Sequence, residues 1–199
     1  MSSIAIDIVL LPSLEIQKRI IQMSQSLRWD RENFEQSLTD RVPHITMIMW
    51  CIEESELESI QRILSSLSVL QNRGIDIEYN WVKESALPDS RTWQYIDIVP
   101  SAELQKIYNH IVGKIKPLMS FHPNKSNFYD PEEVNTLTLE WVKNHDHKKE
   151  EAIFHPHISL GIWELDFQEQ MGSINIDRIA IYQLGNYCTC RKELFSIYI

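Results

Sequence analysis

Two histidines sit in matching surroundings. "VPHITMIMW", residues 42 to 50, and "FHPHISLG", residues 154 to 161, each run proline, histidine, isoleucine, hydroxyl residue, about half a chain apart. In a strand, residues two apart share a face, so His44 projects with Thr46 and His157 with Ser159. Ile45 and Ile158 then turn the other way, toward a core. Imidazole titrates near neutrality, so one histidine takes a proton while another gives one. The hydroxyls suit the non-bridging oxygens of a phosphate. In-line displacement at phosphorus needs an activated nucleophile on one side and a protonated leaving oxygen on the other. Two facing histidines supply both without a metal. A single His-x-Ser or His-x-Thr is a common chance match; two copies, each behind a proline and inside an apolar strand, are not.

The elements that must position these motifs follow from periodicity. Residues 4 to 11 read as a strand closed by Pro12, and 13 to 27 as a helix with Leu14, Ile16, Ile20, Ile21 and Met23 at helical spacing. A second strand spans 42 to 50. A second helix follows within 53 to 70, then strands at 74 to 83 and 92 to 99 around the turn "LPDSR". Ser101 opens a third helix to residue 115. "KPLMSFHPNKSNFYDPEE" is irregular, "PEEVNTLTLEWV" is a short helix, and "KNHDHKKEE" is a solvated charged run. Strands return at 156 to 163, 174 to 184 and 191 to 198. Short strands joined partly by turns favour an antiparallel or mixed α+β sheet over a doubly wound parallel one. No glycine-rich phosphate loop follows a strand, against Rossmann and P-loop folds.

Composition narrows the partners. At 199 residues, 43% hydrophobic and 24% charged, the chain can bury one sizeable core, in one domain or two lobes. The net charge of −9, from 19 basic and 28 acidic residues, disfavours long duplex nucleic acid, whose binding depends on basic residues releasing counterions. A small or short substrate fits better. Cys51, Cys188 and Cys190 form no disulfide framework and suit a reducing compartment; Cys188 and Cys190 read as buried thiols on one strand face. "IAIDIVLL" is too short to span a bilayer and contains Asp7. The expected location is cytoplasmic, with no membrane partner.

"PHITM" and "PHISLG" resemble the paired signatures of the two-histidine (2H) phosphoesterase superfamily, which includes LigT-like RNA 2′,5′ ligases and 2′,3′-cyclic phosphodiesterases. "IAIDIVLLP" is similar to that family's first strand, "WQYIDIVPSAELQKIYNHI" to its strand and helix, and "IYQLGNYCTCRKELFSIYI" to its closing strands. Residues 117 to 150 match least. The resemblance implies a single bilobal domain over 1–199, two pseudo-symmetric lobes of mainly antiparallel sheet with outer helices around a cleft. It implies His44 and His157 as the catalytic pair, Thr46 and Ser159 as phosphate-holding hydroxyls, and no cofactor. The activity it implies is a phosphoric diester hydrolase of cyclic phosphodiesterase type, acting on a small nucleotide or an RNA end. A non-catalytic nucleotide-binding module of the same fold and a tRNA-end 2′,5′ RNA ligase are the alternatives.

Other candidates lie near these motifs. Tyr187 and Arg191 flank the turn into the last strand, where the family often lines its pocket; Tyr187 suits stacking on a base and Arg191 suits a phosphate, or both are ordinary turn residues. Trp93, Tyr95 and Arg41 are weaker candidates of the same kind. "HPH" at 155 to 157, with His145 and His147, raises a metal reading, but zinc sites usually need a third protein ligand. His155 therefore reads as a rim residue, and no metal is expected. A monomer is favoured.

Overall fold

A computed structural model describes residues 2–26, 36–67, 74–86, 92–119, 122–145, 154–162 and 172–199. Seven strands are present among them: β1 (Ser3–Pro12), β2 (Ile45–Glu53), β3 (Ile75–Ala86), β4 (Thr92–Ile98), β5 (His157–Ile162), β6 (Gly172–Leu184) and β7 (Cys190–Tyr198). The helices are α1 (Leu14–Ser26), α2 (Leu57–Ser65), α3 (Ala102–Ile115) and α4 (Thr136–His145). Ser101 caps α3, its side chain accepting from Leu104 N–H at 3.0 Å. The short helix begins later than its sequence pattern suggests. Asn135 accepts the Thr138 N–H at 2.9 Å and so fixes the start, while Pro131–Glu133 form a separate 3₁₀ turn. The "LPDSR" turn and the charged run beyond His145, with His147, lie outside the described residues.

All pairings among these strands are antiparallel, in the order β1-β2-β5-β4-β3-β6-β7. β1 also pairs with β6, so six strands close a circuit. β6 is shared: Gly172–Ile176 pairs with β3, while its remainder pairs with β1 and β7. The result is α+β and bilobal, β2-β1-β6-β7 on one side and β5-β4-β3 with the start of β6 on the other. The two lobes meet again at β2 and β5 through one pairing, Ile45 opposite Ile158. Two carbonyls of β5 are taken by side chains from outside the sheet: Ser24 Oγ donates to Leu160 O and Gln36 Nε2 to Ser159 O, each at 2.8 Å.

Both faces of β1 are buried, which explains its unbroken apolar run. Ile4, Ile6, Ile8 and Leu10 join the main core beneath α1, α2 and α3, together with Ile45, Ile158, Ile96 and Ile176. Ala5 faces the opposite side, packing with Cys51, Leu184 and the α4 residue Val142, while Val9 and Leu11 pack with Val42 and Cys190. The α4 segment, which matched least by sequence, thus roofs one lobe on the side away from the main helices. No described helix is long and apolar enough to cross a membrane.

Candidate active site

His44 immediately precedes β2 and His157 opens β5. The two rings are held the same way. His44 Nδ1 lies 2.6 Å from Val42 O, and His157 Nδ1 lies 3.2 Å from His155 O. Each acceptor is the residue before a proline, which that proline biases to extended backbone. The Nδ1–H donates to the carbonyl two residues upstream, leaving Nε2 as the available nitrogen in both. The proline common to both motifs therefore has a local task.

The single Ile45–Ile158 pairing sets their relation. Continuing its register by one residue places Ser159 opposite His44 and His157 opposite Thr46. The two histidines are diagonal partners, for which an antiparallel pair sets a Cα spacing of about 7–8 Å. Ile45 and Ile158 are fully buried on the far side. A bulge between Ile8 and Val9 sets Val9 against Thr46 and Asp7 against Met49, and sends both Met47 and Ile48 into the core.

Burial lowers the His44 pKa to about 4, opposed by the Val42 carbonyl and reinforced by His157 nearby. Burial also lowers His157, opposed by the His155 carbonyl and by the Asp97 carboxylate, whose residue pairs with His157 across the β4–β5 ladder. Both shifts favour neutral rings at neutral pH. An anionic phosphate between them would raise both pKa values, so substrate itself favours putting a proton on one ring.

Asp7 is the functional candidate that sequence reasoning missed. It is fully buried in β1, accepts the Thr46 hydroxyl at 2.7 Å through Oδ2, and lies 3.6 Å from His44 Nε2. The signal was a lone acid in an apolar strand, pointing to the same side as Ala5 and Val9. Thr46 spends its proton on Asp7, so donation to a phosphate requires that bond to break. Ser159 pairs with Tyr95 on β4.

An aromatic row leads away from His157. Its ring is edge-on to Tyr95 at 5.3 Å and to Trp93 at 5.9 Å; Trp93 meets Trp141 of α4 at 5.4 Å, and Trp141 meets Tyr187 at 6.5 Å. Trp141 had no sequence signal beyond its type. Tyr187 has a left-handed backbone, φ 56°, and its N–H donates to Thr138 Oγ1 at 2.8 Å. That α4 contact supports an otherwise uncommon non-glycine conformation.

Arg191 is placed differently from the phosphate-facing reading. Its guanidinium contacts Asp40 at 2.6 Å, Asp130 at 3.2 Å and Glu133 at 3.3 Å, and lies over the Tyr129 ring. A Cβ at Gly185 would collide with its stem. These contacts tie the loop before His44 to the 130–133 turn. Arg41, at φ 53°, donates its N–H to Cys190 O at 2.9 Å and stands 3.9 Å from Asp40. His155 is exposed at the rim.

The three cysteines are free thiols. Cys188 lies in a 3₁₀ turn, not on the strand with Cys190. Burial raises all three thiols, Cys51 to about 12. Among the described residues, the histidines and thiols that gather ligand atoms within mutual reach are not those of "HPH" but His44 and Cys190, with Asp7.

No protein-family model and no curated protein matches the sequence. Solved structures do match the fold. The E. coli LigT structure with 3′-AMP is 12% identical, with a TM-score of 0.57 over 100% of this chain and 99% of that one. The E. coli LigT structure with NADP+ gives 0.55 at 12% identity and the same coverage. A protein described as a phosphoesterase gives 0.52 at 14% identity, again over 100% and 99%. These likenesses cover the whole chain and show a LigT-like fold.

Proposed function

We propose that the protein is a phosphoric diester hydrolase that opens a 2′,3′-cyclic phosphate, or cleaves a 2′,5′ linkage, on a nucleotide or short RNA end. The observation that carries this reading is the matched pair of imidazoles, each anchored through Nδ1 and presenting Nε2 beside the same strand seam. One ring takes the proton of the attacking water, the P–O bond to the leaving ribose oxygen breaks, and the other ring protonates that oxygen. Ser159, and Thr46 once released by Asp7, hold the non-bridging oxygens. The similar LigT structures contain 3′-AMP, ATP and NADP+, which agrees with a substrate of nucleotide size.

The test is a panel of 2′,3′-cyclic nucleotides, 2′,5′-linked oligoadenylates and cyclic dinucleotides, scored by product identity. Turnover of the first or second class to a monoester is the expected result. Binding without turnover of any member would replace this reading with a nucleotide-binding module, and joining of RNA ends would replace it with a ligase. Because the imidazoles carry both proton transfers, activity should survive EDTA. Loss in chelator with rescue by zinc or manganese would defeat the mechanism.

The aromatic row from His157 to Tyr187 supports a nucleobase on the substrate. Stacking on an aromatic ring contributes about 1–3 kcal/mol per base. Tyr187→Ala and Trp141→Ala should each raise KM for nucleoside substrates by roughly 5- to 150-fold on that scale, with a smaller change in kcat. A cyclic phosphate without a base should show no such rise; an equal rise for it would remove the stacking role.

A further inference from the structure

Around His44 stand two side chains that proton transfer does not use, Asp7 and Cys190. Asp7 on β1, His44 before β2 and Cys190 at the start of β7 each offer one ligand atom, and these three atoms all lie within 4.8 Å of one another. Carboxylate oxygen, imidazole nitrogen and thiolate sulfur are donors that zinc accepts, in tetrahedral geometry with bonds of about 2.0–2.3 Å. Ligand atoms on such a tetrahedron stand roughly 3.3–3.6 Å apart. Asp7 Oδ2 and His44 Nε2 are already 3.6 Å apart, and the sulfur, within 4.8 Å of both, has at most about 1.5 Å to close on that geometry.

The surroundings are also built for ligation. His44 gives its Nδ1–H to the Val42 carbonyl, which aims the Nε2 lone pair at the cluster side, and the Asp7 carboxylate accepts from Thr46. Metal-binding histidines and carboxylates ordinarily carry such partners, which fix tautomer and orientation. The charges close as well. A carboxylate, a neutral imidazole and a thiolate sum to −2, which one divalent cation cancels in a region where Asp7 and Cys190 are fully buried.

We propose that Asp7, His44 and Cys190 form a site for a thiophilic divalent cation of the zinc class, and that its occupation silences the enzyme by taking the His44 Nε2 lone pair. Binding releases the Cys190 thiol proton to solvent and changes no oxidation state. A fourth coordination position is left for water or a phosphate oxygen. The silencing rests on the two-histidine reading above; the site itself does not.

The test is titration of chelator-stripped full-length protein with Co²⁺, followed by absorption. One equivalent should bind with a sulfur-to-cobalt charge-transfer band in the near ultraviolet. Cys190→Ser should lose the band, Cys188→Ser should keep it, and Asp7→Asn should weaken binding by roughly 10- to 100-fold or more, since even outer-shell changes cost that much. Absence of stoichiometric binding by the wild type overturns the site without reference to any variant's folding. A band that survives Cys190→Ser overturns the assignment of the sulfur. In the activity arm, Zn²⁺ should inhibit wild-type turnover reversibly, with EDTA restoring it, and should inhibit Cys190→Ser far less. Stimulation by zinc would overturn both the silencing and the two-histidine mechanism. Should no substrate turn over at all, the acid–base reading fails while the Co²⁺ arm still decides the site.

Discussion

Replacing either His44 or His157 with alanine is expected to lower kcat by roughly 10²- to 10⁴-fold, the scale for removing a general acid or base. The expectation follows from the division of labour. Each ring presents only Nε2, because Nδ1 is committed to a backbone carbonyl, so neither can take over the other's proton transfer. The double variant should be little worse than either single one, since two groups serving one reaction are not additive. Thr46→Ala and Ser159→Ala should cost less, through weaker grip on the phosphate oxygens. Steady-state kinetics on the best substrate of the panel provides the measurement. Near-normal turnover in both single variants would end the two-histidine mechanism.

Ile45→Ala and Ile158→Ala are each expected to destabilise the fold by about 2–5 kcal/mol, the usual range for truncating a buried isoleucine. Both side chains are fully buried in the main core, directly beneath the two motifs, and their pairing joins β2 to β5. The lost transfer free energy and the cavity left behind act at the seam between the lobes. Urea unfolding measures the stability change. Ile77→Ala serves as the comparison, because Ile77 is equally buried but lies on β3, away from both histidines. At matched destabilisation, the seam variants should lose more turnover than Ile77→Ala, since small displacements of catalytic groups cost rate steeply. Equal losses would show that the seam does not set the spacing of the two rings.

The sequence by itself determined the parts of the site that depend on neighbours within two residues. Strand parity put His44 with Thr46, His157 with Ser159, and the isoleucines on the core side, because successive side chains alternate at period two. The proline before each histidine was visible too, and its carbonyl-holding role is equally local. Most strands and helices were legible within a few residues, since their apolar periodicity is what the core buries. What only the tertiary structure decided is which distant residues meet at the two histidines. Asp7 counted only against a membrane span, and Cys190 read as a buried thiol; they meet at His44 only because β1 pairs with β2 and with β6, and β6 with β7. Arg191 read as a phosphate-facing residue or an ordinary turn arginine until the fold set Asp40, Asp130 and Glu133 around it. Trp141 reached Trp93 only through the placement of α4. Periodicity reports which face a side chain takes, but strand order and register, fixed by the burial of the whole sheet, choose what it faces.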